Sequence, residues 1–265
     1  MHKTAFGSVW AYRGFVLASI RREFQLRYRN SLLGALWTVL QPLAMIVVYT
    51  VVFSRIMKAR LPDTGGDFAY SIYLCAGILT WGLFAEITSR NLTVFLDNAN
   101  TLKKLSFPRI CLPLIVTGSA LLNFGIIFSL FVLFLIFTGN FPGWSFLAFF
   151  PVLALQVAFS SALGLLLGLL NVFFRDVGQF FAVLMQFWFW LTPIVYLPDI
   201  VPESMRVFLQ LNPMAHLIFA YQGIFLHNQP PDWLALAPVA ILSLLVGALA
   251  LTVFRKRSSE MVDEL

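Results

Sequence analysis

From Ile110 to Phe174 the chain runs for 65 residues without one charged side chain. No other feature restricts its fold as strongly. A soluble domain keeps about a quarter of its residues charged, whereas here 11% are charged and 60% are hydrophobic. Most of the surface must therefore face hydrocarbon. A membrane helix needs about 20 apolar residues, so this run holds more than one span, and GNFPGW at 139–144 supplies the Gly/Pro turn that divides it.

The same reading along the chain predicts an all-α integral membrane protein with six transmembrane helices, at 32–54, 68–87, 112–137, 146–172, 177–197 and 233–254. Residues 1–31 precede them, 88–110 and 199–231 form the two long connections, and 255–265 are a tail. An even number of spans puts both termini on one side. Of the eighteen Lys and Arg residues, fourteen fall on that side, leaving Arg55, Lys58, Arg60 and Arg206 on the other. The positive-inside bias makes the first side cytoplasmic. It also accounts for the net charge of +6 without nucleic acid as a partner. The charged first 30 residues and the length of the first apolar run are unlike a cleavable signal peptide. Cys75 and Cys111 fall near opposite faces, too far apart for a disulfide, and read as small buried apolar residues.

Phe6, Trp10, Leu17, Ile20, Phe24 and Tyr28 recur at helical spacing, with Arg22, Gln25 and Arg29 opposite. This pattern fits an interfacial helix with its aromatic face in the acyl boundary, or a plain basic anchor for the first span. Arg13 falls on the apolar stripe and must snorkel.

Glu86 to Pro113 is the charged island of the chain, carrying Arg90, Lys103, Lys104 and Arg109 against Glu86 and Asp97. Leu92, Phe95, Leu96 and Ala99 recur at i, i+3, i+4 and i+7, the spacing of a short amphipathic helix. Such a helix suits either an acidic-rimmed groove on a soluble partner or the membrane surface. On the other side, Met205–Leu211 and Met214–Leu226 are apolar runs broken by Asn212-Pro213. They are too short to span and read as re-entrant segments, needing cover from protein or a water-filled path, or as amphipathic helices resting on the bilayer. The fifth span ends in QFWFWLTPIVYLP, where Pro193 should kink the helix. Its aromatics fit an interfacial belt or a surface for sugar rings. Arg175 and Asp176, after the fourth span, either mark a boundary or gate the inner mouth.

There is no G-x-x-x-x-G-K-[ST], HExxH or GxSxG. HNQPPD at 227–232 has the H-x4-D spacing of some acyltransferases but no accompanying catalytic set, and Asn91-Leu92-Thr93 is a sequon on the wrong side. Acidic residues are nearly absent from the spans, which argues against proton coupling, so the energy for any transport must come from elsewhere.

Five segments in register carry a resemblance: YRNSLLGALWTVLQPL at 28–43, NANTLKKLSFPRICLP at 98–113, NVFFRDVGQF at 171–180, LTPIVY at 191–196 and LNPMAHLIFAYQGIF at 211–225. With six spans, they resemble the membrane subunits of type 2 ABC exporters, in the branch that exports O-antigen, capsule and teichoic-acid chains. The resemblance implies a homodimer in the bacterial inner membrane with two copies of a cytosolic ABC ATPase, which binds ATP and Mg, so that no cofactor belongs to this chain. It implies an N-terminal interfacial helix, a cytosolic coupling helix and re-entrant outer gate helices. Carried over by position, coupling falls to Phe95, Asn98, Leu102, Lys103, Lys104, Phe107 and Arg109, and an inner gate to Arg175 and Asp176. A path for lipid-linked polysaccharide falls to Trp37, Tyr49, Trp188, Trp190, Tyr196, Phe219 and Tyr221, with membrane lipids around the subunit. The readings left beside it are a type 2 exporter of drugs or lipids, an integral-membrane acyltransferase and a scaffold for envelope assembly.

Overall fold

A computed structural model describes residues 12–28, 68–104, 107–198, 201–258 and 260–264, with isolated positions at 40, 44, 47, 48 and 51. The first span at 32–54, with Trp37 and Tyr49, lies outside the described residues apart from those positions, as do Phe6 and Trp10 of the N-terminal stripe. Among the described residues all regular structure is helical: α1 Arg13–Tyr28, α2 Ala69–Asp97, α3 Ala99–Lys104, α4 Cys111–Phe137, a 3-10 turn Gly143–Ala148, α5 Phe149–Phe173, α6 Asp176–Trp190, α7 Glu203–Leu211, α8 Pro213–His227, α9 Trp233–Arg257 and α10 Glu260–Glu264.

Four of these helices are long and apolar enough to cross a membrane: α2, α4, α5 with its 3-10 turn, and α9. In α2, 72% of the most apolar stretch is buried within the subunit, against 22% in α4 and in α9. α2 is therefore the central post, with lipid-type surface left on the flanking helices. Its main neighbour is α5. The two approach closely because α5 carries Gly164 and Gly168, a G-x-x-x-G pair that lets membrane helices touch backbone to backbone. A Cβ at Gly168 would stand 2.3 Å from the Asn91 carbonyl oxygen, and one at Gly164 2.7 Å from the Asn91 Cβ. Higher up the same contact, Gln156 Nε2 donates to the Thr80 carbonyl at 2.6 Å, so this buried polar group also ties α5 to α2.

The fifth span is corrected. Drawn over 177–197, it is helical only to Trp190, and its 15 residues reach about 22 Å, short of the roughly 30 Å hydrocarbon core. The expected kink at Pro193 is instead a stop: proline offers no N–H to continue the helix, and side chains from other helices take up the freed carbonyls. Tyr73 Oη donates to the Pro193 and Tyr196 carbonyls, at 3.0 and 2.7 Å. Tyr70 Oη donates to the Val195 carbonyl at 2.6 Å, and Asn212 Nδ2 to Thr192 Oγ1 at 2.9 Å.

The segment between the last two apolar stretches folds as a helix pair, α7 and α8, hinged at Asn212-Pro213. Asn212 caps α8, its side chain accepting from the Met214 and Ala215 amides, which satisfies N–H groups left free in a first turn. Pro213 sits at the first helical position, where a missing N–H does no harm. α8 then buries Met214, Leu217, Ile218, Tyr221 and Phe225 against the bundle. α7 buries only Leu209.

Candidate functional site

At the end of the bundle that carries the charged island, α2 continues past its membrane stretch without a break to Asp97. The expected separate helix through Leu92, Phe95, Leu96 and Ala99 is thus replaced by an extension of the post, because apolar side chains on α5 and α9 continue to cover it. Phe95 is 0% exposed and meets Phe254 of α9. Its expected place among surface contact residues is corrected: it is buried in the core beneath α3. Asn98 makes the elbow. Its Nδ2 donates to the Val94 carbonyl at 2.9 Å, and its own carbonyl accepts from the Thr101 and Leu102 amides, so it ends α2 and starts α3.

α3 carries the island's point. Leu102 turns inward into a cluster with Phe95, Leu169 and Ala250, while Lys103 and Lys104 are exposed in its last turn, where cations meet the negative end of the helix dipole. Together with Phe107, Pro108, Arg109 and Tyr12 of the N-terminal segment, they line an open groove of about 580 Å³. The structure thus brings together Leu102, Lys103, Lys104, Phe107 and Arg109. Among the described residues the groove presents three cations and two aromatic rings, and no acidic side chain lines it. That chemistry suits an acidic, partly apolar protuberance on another molecule.

The N-terminal helix α1 is fastened to the same end. Phe15 packs on Phe107, with ring centroids 5.4 Å apart. Ile20 lies over Gly118 of α4, where a Cβ would come within 2.5 Å of its Cδ1. Glu23 of α1 pairs with Arg90 of α2, and Arg90 also reaches Glu86 at 3.3 Å and Ser119 Oγ at 3.4 Å. Asn123 Nδ2 donates to Glu86 at 3.0 Å. This charged cluster joins α1, α2 and α4. Leu17, placed on the apolar stripe, is exposed, and it is Ile20 and Phe15 that make the contacts.

Arg175 and Asp176 are exposed in the turn from α5 to α6, with Asp176 in the first turn of α6, where a negative charge meets the positive end of the helix. The turn is positioned by Asn171, whose Nδ2 donates to the Leu92 carbonyl at 3.0 Å and whose Oδ1 accepts from the Gly178 amide at 3.0 Å.

The expected path residues separate. Tyr221 is fully buried against Phe149, so it belongs to the subunit core, and its place in a path is corrected. Trp188 is half-buried, packs edge-on to Trp81 and Phe84, and donates Nε1 to Asn212 Oδ1 at 2.8 Å. It works as a latch between α6 and the α7–α8 hinge. Trp190 faces away and is 65% exposed. Tyr196 is partly buried, its hydroxyl donating to the Trp190 carbonyl at 3.0 Å. Phe219 is partly buried on α8. A second hollow of about 410 Å³, lined by Trp81, Ala85, Ser89, Met185, Gln186, Phe189 and Trp190, lies between α2 and α6. Sequence reasoning missed Asn212 as a hub, because a side chain's distant partners leave no mark on spacing. The G-x-x-x-G at 164–168 was legible and was passed over.

A multi-pass helical membrane subunit with a basic groove at one end of its apolar bundle has the form of a transport permease. The family profile for the ABC-2 type transporter matches residues 15–226, and the chain belongs to that family. It is 32% identical over 97% of both chains to the O-antigen export system permease protein RfbA of Myxococcus xanthus. It is 31% identical over 78% of both to the protein of the same name from Klebsiella pneumoniae. The polysialic acid transport protein KpsM of Escherichia coli is 21% identical over 93% of this chain and 95% of its own length.

Proposed function

We propose that this chain is the membrane subunit of an ATP-driven exporter that moves a lipid-linked polysaccharide of O-antigen type from the cytoplasm to the outer side of the inner membrane. It acts as a homodimer with two copies of a cytosolic ABC ATPase, which bind the ATP and Mg, and both of its termini lie in the cytoplasm. The observation that carries the reading is the groove: Lys103, Lys104, Phe107 and Arg109 stand at the surface, while Leu102 roots α3 in the bundle core. A patch that only rested on lipid would need no such support. The names borne by the relatives support the substrate class.

In this mechanism, closure of the ATPase dimer presses on α3. The push passes through Leu102 and Phe95 to α5 and α9, and through Phe107 and Phe15 to α1. The charged cluster of Glu23, Arg90, Glu86 and Asn123 moves α1, α2 and α4 as one body. A long polymer cannot be enclosed whole, so it threads in steps along a path between two subunits, past Trp190 and the α2–α6 hollow. The test is Lys103→Glu with Lys104→Glu. It should lower export about tenfold or more by turning attraction into repulsion at an interface rim, while the subunit still reaches the membrane. Normal export in that double variant overturns the coupling assignment.

A further inference from the structure

The eleven residues after the last span were expected to be a plain tail, but their end folds back. Arg257 pairs with Glu260 across the turn from α9, and α10 lies against α3 and α5. Met261 is 0% exposed, whereas Glu260 and Glu264 on either side of it are exposed. It enters the cluster that holds Phe95 of α2, Leu102 of α3, Leu169 of α5 and Phe254 of α9. In an acidic five-residue helix, Met261 is thus fully inserted behind the helix that bears Lys103 and Lys104.

We propose that α10 is a wedge that holds α3 at its working angle, with Met261 the positioning residue. This rests on the reading of α3 as the contact to the ATPase. α3 has six residues and one buried side chain, too little to hold its own conformation, since helices this short are marginal without packing. Among the described residues, the apolar cluster behind it is built from the ends of α2, α4, α5, α9 and α10. Methionine suits the position because its unbranched thioether fills an irregular gap between several helices. Without it, Leu102 loses cover, α3 yields when pushed, and ATP hydrolysis is no longer converted into movement of the bundle. Met261 touches no partner and acts only through α3.

The test uses the full permease–ATPase complex in lipid nanodiscs, with wild type, Met261→Asp, the milder Met261→Ala, Met261→Leu, a chain ending at Ser258, and the Lys103→Glu/Lys104→Glu variant as reference. Hydrogen exchange of amides 99–104 reports the hold on α3, and polymer export per ATP hydrolysed reports coupling. Met261→Asp and the shortened chain should exchange these amides about tenfold faster, as lost core packing releases a local opening. Export per ATP should fall about as far, Met261→Ala should lie between, and Met261→Leu should restore both. Unchanged exchange in Met261→Asp and in the shortened chain overturns the wedge, whatever export does. Faster exchange with full export overturns it if the lysine reversal does abolish export. Faster exchange with both Met261→Asp and the lysine reversal silent in export supports the wedge and overturns the reading of α3 as the ATPase contact.

Discussion

The two ends of the bundle handle polar groups in opposite ways. At the charged end, the cations of α3 and Arg109 stand out into a groove, and the support beneath them is apolar: Phe95, Leu102, Leu169, Met261. At the other end, a set of polar side chains turns inward. Tyr70, Tyr73, Asn212 and Gln222 all grip the non-helical stretch after Trp190, while the surface mixes Phe187, Trp190, Phe208 and Leu211 with Glu203, Arg206 and Gln210. On the mechanism we propose, the first end is the one touched by a partner in water, force applied at its groove meets a packed apolar lever, and opening at the far end requires whole groups of hydrogen bonds to move together.

The strongest way to break this comparison is through what joins the ends. Gly168→Leu places a side chain where even a Cβ meets the Asn91 carbonyl at 2.3 Å. Overpacking of this kind costs about 3 kcal/mol or more, and the subunit should be lost from membranes on immunoblots, while Gly223→Ala, whose Cβ meets nothing within 4 Å, should be retained. Next in size, Asn212→Ala removes a cap, leaves Trp188 Nε1 without its acceptor and takes a donor from Thr192 Oγ1. It should cost about 2–3 kcal/mol and lower the unfolding temperature in detergent, with ATPase binding kept. Trp188→Phe keeps an aromatic ring but loses the donor and part of the packed volume, so it should cost about 1–2 kcal/mol, and a normal unfolding temperature would show that the latch is dispensable. At the charged end, Arg90→Gln and Glu23→Gln should each cost about 0.5–1 kcal/mol, since both groups are partly exposed. The double variant should cost little more than either single one, as measured by a double-mutant cycle. The smallest stability effect belongs to Trp190→Ala, within about 0.5 kcal/mol. Surface polymer should nonetheless fall, and normal polymer would return Trp190 to the aromatic belt.

Much of the architecture was legible because bilayer thickness acts directly on composition. The boundaries at 112–137, 146–172 and 233–254 lie within a few residues of α4, α5 and α9, and Asn212-Pro213 marked the hinge of α7 and α8 because capping and a proline first turn are local chemistry. The fifth span was overdrawn because hydropathy counts Leu191 to Leu197 as apolar without registering that the helix stops before Pro193, leaving carbonyls beyond it for Tyr70 and Tyr73, over a hundred positions away, to take. Of the expected coupling residues, Lys103, Lys104, Phe107 and Arg109 line the groove, whereas Phe95 lies behind it. A periodicity of apolar residues specifies a face but not whether that face meets a partner or the protein's own core.

By itself the sequence determined that this chain lives in a bilayer, where its helices break, and which short stretch of charge something in water could grip. Those properties are set by transfer energies and turn chemistry, which act residue by residue. Only the tertiary structure decided that Glu23 finds Arg90, that Asn212 gathers Trp188 and Thr192, and that Met261 closes the core under α3. Each of those contacts joins separate elements, and their pairing follows from which surfaces fit together once the helices have formed.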